Sequence, residues 1–168
     1  YRDLAARCAQ DGFASLVFHF RGAGLSEGDF DMPGWSRDLA QAITYLAGTP
    51  NVDQSRLFLM GFSGGAAACI HEAAGDNRVA GVVSCASPAR FDDLTKGPAL
   101  HDCLKRWREI GIIRNPEFPQ DIHAWAAGFE QVAPVEHIGH ISPRPVLLLH
   151  GDADDVVPVA HAHELQRA

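Results

Sequence analysis

Ser63 is the residue of this chain best placed by type and spacing to do chemistry. It stands in the run LFLMGFSGGAAA at positions 57–68, where an apolar stretch stops at a glycine-flanked serine and a small-residue helix begins at once. The spacing is G-x-S-x-G. A serine squeezed between a strand end and a helix start must adopt a strained backbone, and Gly61 and Gly65 are expected to remove Cβ atoms that would clash in so sharp a turn. The same turn would aim the Gly64 amide and the positive end of the following helix at an oxyanion formed beside Ser63. A serine hydroxyl at its normal pKa is a poor nucleophile, however, and needs a histidine base held in one tautomer by a carboxylate. Carboxylates occur in the turn HGDADDVVP at 150–158, after the apolar run VLLL and in the chain order Ser then Asp. Taken alone, the pentapeptide also fits an ordinary helix N-terminus, and an Asp-rich turn means little.

The elements around these residues read as alternating helix and strand. Positions 1–12 have the pattern of a helix ending at Gly12, and 13–20 (FASLVFHF) is a β-rich apolar run of buried-strand length. Trp35, Leu39, Ala42, Ile43 and Leu46 share one helical face, closed by Gly48, Thr49 and Pro50. A strand over 57–60, a helix over 64–74 and a strand over 79–86 follow, an order that implies a parallel sheet with right-handed crossovers. From 89 to 142 no comparable strand occurs, only helical patches at 99–110 and 122–132, so this stretch reads as a helical cap over Ser63. Trp107, Trp125 and Phe129 are its candidate lining, with packing inside the cap as the alternative. The strand at 146–149 resumes the sheet and a helix follows from 159. The organisation is therefore 1–88 as a first core part, 89–142 as the cap and 143–168 as a second core part.

The glycine loop at 21–28 (RGAGLSEG) follows the first strand-like run, but Gly22, Gly24 and Gly28 miss the G-x-G-x-x-G spacing of a dinucleotide site, and no helix opens there. Together, the elbow at Ser63, the loop F-x-F-R-G-x-G-x-S and the turn H-G-x-x-D-x-x-V-P resemble the α/β-hydrolase superfamily, in its dienelactone-hydrolase and serine-peptidase branches. The resemblance covers nearly all of the chain. It implies an α/β fold with a parallel sheet and a helical cap insertion, with Ser63 as nucleophile, Gly64 as oxyanion donor and Asp154 as the acid. It also implies substrate contact by Phe62, Trp107 and Trp125. The acid's neighbours Asp152 and Asp155 are expected to be solvated turn carboxylates that cap the following helix. In the same pattern a strand lies between 13–20 and 57–60, and the histidine comes last. The expectation is therefore a hydrolase lacking its central strand and its base, with His161 and His163 as weak substitutes and His150 as support for the acid turn.

The implied activity is cleavage of a carboxylic ester, thioester or peptide bond through an acyl-enzyme on Ser63. A non-catalytic α/β binding domain, or an inactive fragment, is the alternative. A dehalogenase or epoxide hydrolase would need Asp at position 63. With 168 residues, 46% of them hydrophobic, the chain can bury one core. The net charge of −7 comes from dispersed acids without a basic stripe, which argues against nucleic acid and for a small-molecule substrate. No apolar run approaches the roughly 20 residues of a membrane span. Cys8, Cys69, Cys85 and Cys103 lack C-x-x-C spacing, so reduced thiols and a cytoplasmic setting are expected. The pairs His137 with His140 and His161 with His163 lack partnering ligands, and neither a metal nor a cofactor is expected.

Overall fold

A computed structural model describes residues 2–168. Helix α1 (Arg2–Gln10) buries no residue and ends as its sequence requires. Gly12 takes φ +87°, its amide reaches Ala9 O and the Phe13 amide reaches Cys8 O, a paired closure that satisfies the last helical carbonyls. Helix α2 (Met32–Ala47) starts on Pro33 and turns Met32, Ser36, Leu39, Ile43 and Ala47 inward.

Strand β1 (Leu57–Phe62) leads into helix α3 (Gly64–Gly75), followed by strand β2 (Val79–Cys85). Helices α4 (Asp92–Thr95), α5 (Pro98–Glu109) and α6 (Ile122–Gln131) come next, then short 3-10 turns at Pro134–Glu136 and Ile138–Ile141. Strand β3 (Val146–Leu149) and helix α7 (Ala160–Arg167) follow, and a further 3-10 turn at Gln54–Arg56 precedes β1. The sheet is parallel throughout, in the order β1-β2-β3, with Gly61 opposite Ser84 and Ser84 opposite Leu148. The fold class is thus α/β, as the alternating pattern predicts.

Helix α3 lies on one face of the sheet, where Ala66, Ala67, Ala68 and Ala73 are fully buried because only small side chains permit so close an approach. Ala68 and Ala73 pack with Leu57, Leu59, Val79 and Val82 in the main core, which Ile138 and Ile141 join from the 3-10 turns. The opposite face carries Phe58, Met60, Leu147 and Leu149, all substantially exposed. A second cluster joins Phe30, Met32 and Ala67 to Phe91, Leu100, Leu104, Trp125 and Phe129, so α4, α5 and α6 are packed down on α2 and on the start of α3.

The run 13–20 corrects a sequence expectation: it forms no strand. Among the described residues, no amide from 14 to 20 makes a backbone hydrogen bond, and Phe13, Leu16 and Val17 are exposed. A strand exists only where a neighbour pairs its backbone groups, and no strand lies between this run and β1. The side chains of Phe18 and Phe20 still pack inward, Phe20 stacked on Trp35 with centroids 4.7 Å apart.

Candidate active site

The turn at Ser63 is held by its backbone. Ser63 has φ +52° and ψ −126°, in a region that side-chain-bearing residues rarely adopt. Its N–H donates to Cys85 O (2.9 Å), and its carbonyl accepts from the amides of Ala66 (2.9 Å) and Ala67 (3.2 Å). The following residue of β2's end, Ala86, is itself at φ +49° and donates its N–H to Leu149 O at 2.8 Å. Two strained residues are thereby pinned side by side at the carboxyl edge of the sheet. Ser63 is exposed, and among the described residues its hydroxyl has no hydrogen-bond partner.

Gly61 is required by space: a Cβ there would lie 2.5 Å from Gly65 O and 2.6 Å from Ala66 N. Gly65 departs from expectation, because a Cβ there would meet only Phe20 Cε2, at 3.8 Å. Gly64 opens helix α3, and among the described residues its amide and that of Gly65 bond to no backbone carbonyl. Free amides at a helix start form an anion-binding position. A Cβ on Gly64 would stand 3.4 Å from the Trp35 ring, so that indole backs the elbow.

Asp154 lies beyond β3, on the same edge of the sheet. Its Oδ1 accepts from the amides of Val156 (3.0 Å) and Val157 (2.9 Å), and those donors, Val157 first, hold the carboxyl below its ordinary value. Its Oδ2 is 3.7 Å from His150 Nε2, which donates instead to Val157 O at 2.6 Å. His150, its side chain only 5% exposed, therefore buttresses the acid turn. Asp152 and Asp155 are exposed and make no side-chain hydrogen bond among the described residues. Neither caps α7, whose N-cap position, Val159, has no side-chain cap hydrogen bond.

Strands β1 and β3 flank β2, so two strand spacings, about 10 Å, separate the chain paths that end at Ser63 and Asp154. Among the described residues no histidine connects them. His161 Nδ1 accepts the Ala89 amide at 3.1 Å, which leaves its proton on Nε2, and His163 is exposed. His137 donates its Nε2 proton to Gln131 O (2.8 Å), and no group of three or more His, Cys, Asp or Glu among the described residues could hold a metal ion.

The aromatic residues of 89–142 are engaged in packing. Trp125 is 6% exposed and donates its ring N–H to Phe30 O at 3.0 Å, while Trp107 stacks on Phe129 with centroids 5.5 Å apart. Trp125 thereby ties α6 to Phe30, and Trp107 is half-buried beside it. Phe62 is partly exposed on the sheet face away from α3. A cavity of about 560 Å³ lies elsewhere, lined by His71, Glu72, Asp76, Arg78, His137 and His140 at the C-terminal half of α3.

Sequence reasoning missed Trp35, Ala86 and the bidentate pair of Arg21 with Asp38 (2.7 Å at its shortest), which fixes the loop after residue 20. The only available signal was the Trp35 position on the inward helical face. The four cysteines are free thiols, and burial pushes the Cys69 thiol up to about 12.

Known proteins share this fold. Residues 1–168 match the BD-FAE family. The chain is 28% identical over 160 residues to the uncharacterized peptidase YtmA of Bacillus subtilis, covering 94% of this chain and 58% of that protein. It superposes on the α/β hydrolase GrgF from Penicillium sp. sh18 with a TM-score of 0.73 and 20% identity, covering 99% of this chain and 71% of the other. For the Pyrococcus furiosus esterase PF2001 the TM-score is 0.68 at 20% identity, covering 99% and 59%. The chain spans about half the length of the curated relatives it matches, 48% and 58% in two cases. The strained serine at a strand-to-helix turn, the parallel sheet and these likenesses lead to one conclusion: the chain belongs to the BD-FAE family and has the α/β-hydrolase fold.

Proposed function

We propose that this chain carries the nucleophile and the acid of a serine hydrolase that cleaves a carboxylic ester, thioester or peptide bond. The observation that carries the reading is the Ser63 backbone at φ +52° with its hydroxyl, among the described residues, unpartnered beside free helix-start amides. Strain of this kind persists only where surrounding structure enforces it, and it clusters at functional sites. The printed names of relatives and neighbours include a peptidase, an esterase and a thiohydrolase, which supports the bond classes without choosing among them.

In this reading a base takes the Ser63 hydroxyl proton as Oγ attacks the substrate carbonyl carbon, and the resulting oxyanion is received by the Gly64 amide. Collapse expels the leaving group with that proton and leaves an acyl ester on Oγ. Water, deprotonated by the same base, then releases the acid and restores the hydroxyl. Asp154 orients the base through Oδ2, its Oδ1 being occupied by two amides. The base in this reading is a histidine, and His161 is not free for the role, because its Nδ1 accepts the Ala89 amide.

Residues 89–142 form the cap, with Phe62, Trp107 and Trp125 as the candidate substrate contacts. The four free thiols support a reducing, cytoplasmic setting. Among the described residues no helix is long and apolar enough to cross a membrane. Among the described residues no histidine bonds to Ser63, which favours the second reading, a binding domain without chemistry. Steady-state hydrolysis of p-nitrophenyl acetate by the complete protein separates the two. Ser63→Ala and Asp154→Ala should each lower kcat at least about a hundredfold, whereas turnover untouched by Ser63→Ala would sink the hydrolase reading.

A further inference from the structure

Three backbone carbonyls of the glycine loop converge on one guanidinium. Arg114, between α5 and α6, donates Nη1 to Ser26 O and Nη2 to both Gly22 O and Gly24 O, each at 2.9 Å. Its Nε turns back to Gly111 O, also at 2.9 Å. Among the described residues none of these donors meets a carboxylate, so the guanidinium reads the shape of the loop rather than a charge. Gly22 and Gly24 at φ +75° and +55° turn the loop so that its carbonyls can gather on one side. The junction is also joined in the other direction. Asp29 Oδ1 accepts the Arg114 and Asn115 amides at 2.6 and 2.9 Å, and the Phe30 amide donates to Ile112 O at 2.9 Å.

The far side of this loop touches the elbow. The Arg21 carbonyl accepts the Trp35 ring N–H at 3.0 Å, and the Trp35 ring lies 3.4 Å from where a Gly64 Cβ would be. We infer that Arg114 is a positioning residue: by filling the carbonyl nest of Gly22, Gly24 and Ser26 it fixes the loop and Trp35 behind the Gly64 amide. The insertion thereby sets the geometry of the oxyanion donor. This rests on the hydrolase reading for its catalytic half only. Lysine cannot replace this fork, because an ammonium is a compact point donor without the planar array that reaches four carbonyls.

The test compares Arg114→Ala and Arg114→Lys with the parent in the complete protein, with and without about 20 mM guanidinium chloride as a replacement for the missing group. Hydrogen exchange at the Gly22 and Ser26 amides should rise at least about tenfold in both variants while β1 and β2 amides keep their protection. With p-nitrophenyl acetate, kcat should fall about tenfold with KM within about a factor of two, because the amide serves an oxyanion present only in the transition state. Guanidinium should restore both readouts in Arg114→Ala and not in Arg114→Lys, whose side chain blocks the nest. Unchanged exchange at 22–28, a lysine variant equal to the parent, or a loosened loop with unchanged kcat would each overturn the inference. Turnover that survives Ser63→Ala refutes the hydrolase reading instead, and the exchange comparison still decides whether Arg114 holds the loop.

Discussion

Ser63 and Asp154 end parallel strands two places apart in one sheet, yet they are held by opposite means. Ser63 is fixed through its own backbone, by Cys85 O on one side and the amides of Ala66 and Ala67 on the other, and among the described residues its hydroxyl is left unpartnered. Asp154 is fixed through its side chain, with Oδ1 taking two amides. The difference follows from the work proposed for each. The reacting atom of a nucleophile must stay open to substrate and base, so its position is best set by the main chain; a carboxylate has two oxygens and can be held by one while the other orients a base.

Substitutions that act on the backbone should therefore dominate at the elbow. Gly61→Ala places a Cβ against Gly65 O and Ala66 N, neither of which can move without breaking the start of α3, and should cost about 3 kcal/mol or more in a thermal or urea melt. Ser63→Gly removes a side chain from a left-handed backbone and should stabilise by about 1 kcal/mol while abolishing any turnover. A loss of stability there would mean that the hydroxyl has a structural partner and that the comparison is wrong. Gly65→Ala has room beside Phe20 and gains helix propensity, so its change should stay within about 1 kcal/mol and favour folding.

At the acid turn the side chain should decide. The amide donors depress the Asp154 carboxyl, so its hold on the turn is complete above the ordinary carboxylate range and is lost only as pH falls through the lowered folded value. The Val156 and Val157 amide resonances should titrate with a midpoint below 3.8, and Asp154→Asn should remove that inflection. A midpoint above 3.8 would show that the amide bonds do not favour the charged form.

Much of this arrangement was legible because it is local. The strand at 57–62, the small-residue helix behind it and the strand at 146–149 announce themselves by apolar runs of the right length and by Gly61. The run 13–20 carries the same signal and fails, since pairing depends on a neighbour and not on the run itself. The packing of Trp125 could not be read from sequence, because its ring N–H finds Phe30 O across 95 positions. The positive φ of Ala86 and the convergence of Gly22, Gly24 and Ser26 on Arg114 have no local trace at all; one is a backbone angle on a residue that rarely adopts it, the other a contact across some ninety positions.

The central claim is that Ser63 is an activated nucleophile, and labelling the complete protein with a fluorophosphonate probe, followed by mass-spectrometric location of the adduct, tests it most directly. The account predicts a single phosphonylated residue, Ser63, and no labelling of Ser63→Ala. An adduct on any other serine, or none in a protein whose melt shows it folded, would contradict it.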